Sequence, residues 1–208
     1  MNSFETDLKR AMLSRGFLLG VVLELVILFT AGFDSDLFRM SVPVLCTLPY
    51  STAWLSDYQS GFLKFYLPRA GTSAYIRGRT VVCAVSGGLS EALGGWLYLL
   101  ISGDEKCSLN PVLLLLSGML WGLVSALLAA LSGSRYLAYG GAFVIYYLLV
   151  ILHERYFNGL YCLYPYEWIA PEHVWIFGED GVKMLLAGLI LICAYVYAQI
   201  LKHKIRQD

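Results

Sequence analysis

Charge is what this sequence has least of. Only 14% of its 208 residues are Asp, Glu, Lys or Arg, against about 25% in an ordinary soluble domain. Lysine plus arginine and aspartate plus glutamate balance at 15 each, so no positive excess is available for a nucleic-acid backbone. Histidine is confined to His153, His173 and His203, which fall at segment boundaries, and the five cysteines include no C-x-x-C pair, so no metal site is expected. The sequence also lacks G-x-x-x-x-G-K-[ST]. Its Gly87-Gly88 pair lies inside an apolar run rather than between a strand and a helix, so the chain brings no nucleotide-binding loop of its own. Neither H-E-x-x-H nor G-x-S-x-G occurs, and no catalytic residue can be nominated. The composition excludes a disordered chain, a collagen-like repeat and a small disulfide framework.

What is present is apolar surface. Hydrophobic residues make up 58% of the chain, more than a sphere of this length could hide from water. Six runs are long enough to cross about 30 Å of hydrocarbon at about 1.5 Å per residue. They cover residues 16–33, 40–55, 74–102, 112–131, 137–152 and 182–201. The second is short and carries Pro43 and Pro49, so it is expected to be kinked or broken. The third is interrupted by Gly87, Gly88, Gly94 and Gly95. The expectation is an all-α polytopic membrane protein, one domain over residues 1–208, with six transmembrane helices.

Phe4, Leu8, Ala11 and Met12 recur at helical spacing, with Glu5, Asp7, Lys9 and Arg10 between them. Residues 1–15 are therefore expected to form an amphipathic surface helix. They do not read as a cleavable leader, because the apolar run that follows is too long and has no small-residue cleavage site. An even number of spans puts both termini on one side. That side collects Lys9, Arg10, Arg15, Lys64, Arg69, Arg77, Arg79, Arg135, Lys202, Lys204 and Arg206, eleven of the fifteen basic residues. By the positive-inside rule both termini are expected in the cytoplasm, with the protein in the cell membrane.

Cys46, Cys83 and Cys193 fall inside apolar runs and are expected to pack as small apolar residues. Cys107 and Cys162 fall on the outer side, where a bridge between two loops is a candidate disulfide. The outer segment 153–181 is dense in tyrosine, tryptophan and phenylalanine and is broken by Pro165 and Pro171. Too polar for a span and too apolar for a free loop, it is expected to form re-entrant elements dipping into the outer leaflet. Two acids stand inside apolar runs, Glu24 in the first and Glu91 in the third, the latter beside Ser86 and Ser90. A carboxylate in hydrocarbon costs at least a few kcal/mol unless it is neutralised, paired or hydrated. Glu24, Ser90 and Glu91 are read either as hydrogen-bonded groups joining helices or as the lining of a translocation path.

The most informative stretch is residues 56–79. Ser56 reads as a helix N-cap with Asp57 in the first turn, and Tyr58, Phe62, Phe65 and Tyr66 follow at helical spacing beside Leu63 and Leu67. Pro68 is expected to end this helix, and residues 70–73 turn the chain back. An aromatic helix at 56–70 on the cytoplasmic side needs a surface: its own bundle, the lipid headgroups, or a cytoplasmic partner.

This stretch resembles the loop between spans two and three of the ABC type-2 permeases, the integral membrane subunits of ABC exporters. The matching residues are Asp57, Gly61, Phe62, Leu63, Pro68, Arg69, Tyr75 and Arg79. The surface helix, the six spans and the re-entrant outer segment match in layout. The chain departs from the family in having Asp57 where glutamate is frequent and in lacking a large outer domain. The resemblance implies a permease subunit of an ATP-driven exporter, moving a peptide, drug or lipid-like substrate outward. It implies that Asp57, Gly61, Phe62, Leu63, Phe65, Tyr66, Pro68 and Arg69 dock a separate ABC ATPase, which binds the ATP and Mg. It also implies a second permease subunit, from the same chain or a paralogue. Other readings are an accessory membrane subunit of a larger exporter, or an ion-coupled carrier or channel relaying charge through Glu24 and Glu91. The two halves show no obvious repeat, which weighs against the carrier.

Overall fold

The computed structural model describes residues 3–103, 109–157 and 159–207, and no strand occurs among them. The helices in chain order are α1 (Ser3–Met12), α2 (Arg15–Ala31), α3 (Asp36–Leu45), α4 (Ala53–Gln59), α5 (Phe62–Ala70), α6 (Thr72–Ser102), α7 (Pro111–Ser132), α8 (Arg135–Tyr156) and α9 (Glu179–Gln207), with a single 3₁₀ turn at Tyr161–Leu163. Local chemistry sets several starts. The Ser14 hydroxyl accepts the Phe17 N–H at 3.0 Å and caps α2. Ser35 caps α3 in the same way, and Asn110 caps α7, with Pro111 at its first turn.

Four helices, α6 to α9, are long and apolar enough to cross a membrane. α2 has 17 residues, about 25 Å of helix, and meets the same standard only together with α1, from which it is bent by 44°. The run at 40–55 is broken, as its prolines predict. α3 carries Pro43 inside it and stops at Leu45, residues 46–52 form successive turns around Pro49, and α4 begins at Ala53. This irregular backbone sits in the interior, where α6 and α7 pack most extensively on each other. Glycine makes the approach possible: a Cβ on Gly87 would lie 2.8 Å from the Gly118 carbonyl oxygen and 3.0 Å from that of Cys46. The Ser14 hydroxyl donates to the Pro49 carbonyl at 3.2 Å, satisfying one polar group freed by the break.

Both ends of the described chain lie at one end of the bundle. Asp7 of α1 approaches Arg79, near the start of α6, while Lys204 of α9 lies 5.8 Å from the Trp54 ring of α4. At the opposite end, Asn110 donates to Glu179 at 2.9 Å. Residues 164–170 fold back into the bundle from that opposite end. Trp168 stacks on Trp121 with ring centroids 5.9 Å apart, and Tyr166 meets Tyr146 at 6.0 Å. Trp121 stands ten residues into α7, about 15 Å along it, so the segment re-enters well below the helix ends.

Four local expectations are corrected. Ser56 does not cap a helix, because α4 already starts at Ala53 and leaves Ser56 and Asp57 within it. Pro68 does not end one either: α5 runs on to Ala70 and stops at Gly71, whose φ of +78° suits glycine. The single helix expected at 56–70 is two helices, separated by Gly61 at φ +70°. On α1 the packed face is not the apolar stripe alone. Phe4 is largely exposed, whereas Asp7 is buried next to Ala11.

Candidate functional site

Two buried polar centres lie on α6, about three turns apart. The first is built around Arg79, whose side chain is 2% exposed. Its guanidinium pairs with Asp57 of α4, and its Nη1 lies 3.6 Å from the Asp7 carboxylate of α1. The Arg79 Nε donates to the Tyr75 hydroxyl at 3.1 Å, and that hydroxyl donates to Asp57 at 3.4 Å. Arg10 donates to the other Asp57 oxygen at 3.2 Å. The guanidinium also lies 4.9 Å from the Tyr50 ring and 5.2 Å from the Tyr75 ring, which gives it cation–π partners on two sides. Two arginines and two aspartates therefore tie together α1, α4, the turn at 46–52 and α6. Burial pushes the Asp7 carboxyl above the ordinary aspartate range, and Arg79 and Arg10 offset only part of that.

The second centre is Glu24 of α2 with Glu91 of α6, both 0% exposed. No side chain partners any of their four carboxyl oxygens, only the Gly95 backbone lies within reach of Glu24, and the two groups are close enough to feel each other's charge. The Glu24 carboxyl occupies the space a side chain at Gly94 would need, and the Glu91 stem packs against Gly118. Ser90 is buried too, but its hydroxyl donates back to the Gly87 carbonyl at 2.8 Å. The structure thus brings the three pathway candidates together and leaves the two carboxyls unpaired. Among the described residues no group of three His, Cys, Asp or Glu side chains is arranged to hold a metal ion.

The eight docking candidates divide. Phe65 is 79% exposed and Phe62 45%, both on α5, and Pro68 and Arg69 beside them are exposed. Tyr66 is half-buried: it stacks on Phe62 at 5.0 Å and meets Tyr75 edge-on at 5.9 Å. Leu63 is buried beneath them, Gly61 is the turn, and Asp57 is held inside the bundle rather than offered to a partner. Cys162 is half-buried, and the candidate bridge cannot be described because Cys107 lies outside the described residues.

Sequence reasoning missed the role of Arg79 and Asp7. Arg79 stands in the sequence reading as a basic loop residue and a member of the matching motif, with no acid partner named, and Asp7 as part of a wet face. The available signal was four charges of alternating sign in three segments on the same side. Also missed was the anchor of the outer segment, Glu167. Its carboxylate accepts the backbone N–H groups of Glu172 and His173 and the Trp175 Nε1–H, and meets His173 Nδ1 at 2.7 Å. Burial opposes the Glu167 charge, but the hydrogen bonds from His173 and Trp175 prevail and hold its carboxyl below the usual 4.5. A carboxyl lowered by folding stabilises fully above its unfolded value and loses that contribution as the pH falls through its folded value. Tryptophan emission of the wild type is therefore expected to show loosening at Trp175 as the pH falls below the ordinary carboxylate range. A Glu167→Gln variant should lack that transition; an unchanged acid transition in the variant would assign it to another group.

No family model, curated protein or solved structure matches the chain.

Proposed function

We propose that this chain is the transmembrane permease subunit of an ATP-driven ABC exporter, moving a peptide, drug or lipid-like substrate outward. The supporting observation is α5, a short helix at the end of the bundle that carries both chain ends, with Phe65 and Phe62 held out from a braced base. A helix that leaves two neighbouring phenylalanines exposed outside the apolar runs offers anchors for a pocket in another protein. In this reading α2 and the broken α3–α4 segment join α6 to α9 as six crossings. Both termini face the cytoplasm, and the protein lies in the cell membrane. The ATP and Mg are held by a separate ATPase, and a second permease subunit completes the path. ATPase closure would tilt α5 and, through the Arg79 cluster, move α1, α4 and α6 together.

The test is co-purification with an ABC ATPase encoded beside this chain. Changing Phe62 and Phe65 together to Ala should leave the spans folded and release the ATPase, at a cost of about 2–4 kcal/mol in affinity. Undiminished association and ATP turnover would mean that α5 rests on lipid, and the exporter reading would lose its support. A second reading, an ion-coupled carrier, is favoured by one observation: the unpaired Glu24–Glu91 couple beside a broken helix. Flux of a coupling ion without any ATPase would separate the two.

A further inference from the structure

At the end of the bundle that carries both chain ends, a cavity of about 500 Å³ lies between the start of α6 and the last turns of α9. Its polar wall is Arg77, Lys202 and Arg206 with the Thr72 and Ser73 positions, and its apolar wall includes Ile76, Ala198 and Ile205. A groove of about 450 Å³ running beneath α5 adds Lys64 and shares Thr72 and Ile205 with it. Among the described residues no acid pairs with these bases, and Arg77 donates to the Ser73 carbonyl at 3.3 Å. The acids described at this end are engaged elsewhere, Glu5 by Lys9 and Asp7 and Asp57 by Arg10 and Arg79. The start of α6 adds to the positive field, since no side chain caps it and its first N–H groups face outward along the axis.

The other half of the argument is α9. Leu191, Tyr195, Ala198 and Lys202 recur at i, i+4, i+7 and i+11, which places them on one face. Leu191 and Tyr195 are 71% and 66% exposed, so this face is an apolar track leading to the bases. A track of exposed apolar residues on a helix long enough to cross a membrane, ending in an unpaired basic cavity, fits an amphiphile of one kind. We propose that this cavity binds the phosphate headgroup of an anionic glycerophospholipid, with Arg77, Lys202 and Arg206 around the phosphate and one acyl chain along α9. The proposal rests on α6 and α9 crossing a bilayer and does not depend on the exporter reading.

The experiment is native mass spectrometry of the full chain released from detergent in an equimolar mixture of phosphatidylglycerol and phosphatidylcholine. The wild type should retain phosphatidylglycerol with about a tenfold preference or more, given the attraction of several basic groups to one anionic headgroup. Arg77→Gln, Lys202→Gln and Arg206→Gln combined should abolish the preference. Arg135→Gln, an exposed base outside the cavity at the same end, should keep it. Excess inorganic phosphate should not displace the lipid. Equal retention of the two lipids by the wild type, an unchanged triple variant, or the same loss in Arg135→Gln would each overturn the site. Displacement by phosphate alone would make it a free-anion site and overturn the lipid assignment.

Discussion

Replacing Arg79 with methionine is expected to destabilise the protein by about 3–5 kcal/mol, the cost of removing one partner from a buried ion pair. The guanidinium is the only described cation buried among Asp7, Asp57, Tyr75 and Tyr50, and its loss leaves two buried aspartates facing each other. Arg10 cannot replace it, because that side chain is 52% exposed and reaches only one Asp57 oxygen. Arg10→Gln should accordingly cost under about 1 kcal/mol. Arg79→Lys should fall between the two, since an ammonium keeps the charge but not the planar fork that reaches Tyr75 and both acids. Combining Arg79→Met with Asp7→Asn and Asp57→Asn should recover much of the loss, because no buried charge is then left unpaired. Thermal unfolding in detergent measures all four. If Arg79→Met melted with the wild type, the cluster would not be a buried unit. The same substitution should also weaken presentation of Phe62 and Phe65 to a partner, since Asp57 is the tether between α4 and the bundle.

How far the sequence could be read depended on the length of the signal. α7 and α9 are continuous apolar runs, and their presence follows from composition alone. The break between α3 and α4 was legible because proline removes a backbone donor and bends the chain at a known place. The start of α4 was not. Thr52 makes no side-chain cap, so the residue pattern that points to Ser56 had no counterpart in the real start three residues earlier. Burial of Glu24 and Glu91 follows from their place in apolar runs, but their meeting does not. That depends on Gly94 and Gly118 letting α2 and α7 approach α6, a matter of side-chain absence that spacing cannot rank among twenty glycines. The Arg79 cluster was hidden for the opposite reason. Its four charged members look like ordinary basic and acidic neighbours of spans, and only the fold of α1 across α6 brings them together.

Changing Glu24 and Glu91 together to methionine is expected to stabilise the protein by about 1–4 kcal/mol while abolishing transport. The stability argument starts from the four carboxyl oxygens, which are buried and have no side-chain partner. Burying a polar group without a partner is costly, and replacing buried charged groups by apolar ones of similar volume is often neutral or stabilising by about this amount. Methionine is unbranched like glutamate and can follow the narrow space that Gly94 and Gly118 leave. Glu91→Gln should behave differently, because an amide in the same position stays polar and unpartnered and gains nothing. The competing view makes these acids hydrogen-bonded joints between α2 and α6. In that case the double methionine variant should melt lower, by about 1–3 kcal/mol for each broken bond to a buried partner. Melting temperature therefore separates the two without any transport assay. A variant that is both more stable and inactive would mark the couple as a feature kept for function, because stability alone gives no reason for two unpaired acids in the bundle. A variant that is stabilised and still transports would remove Glu24 and Glu91 from the path, and with them the second reading of this protein as an ion-coupled carrier.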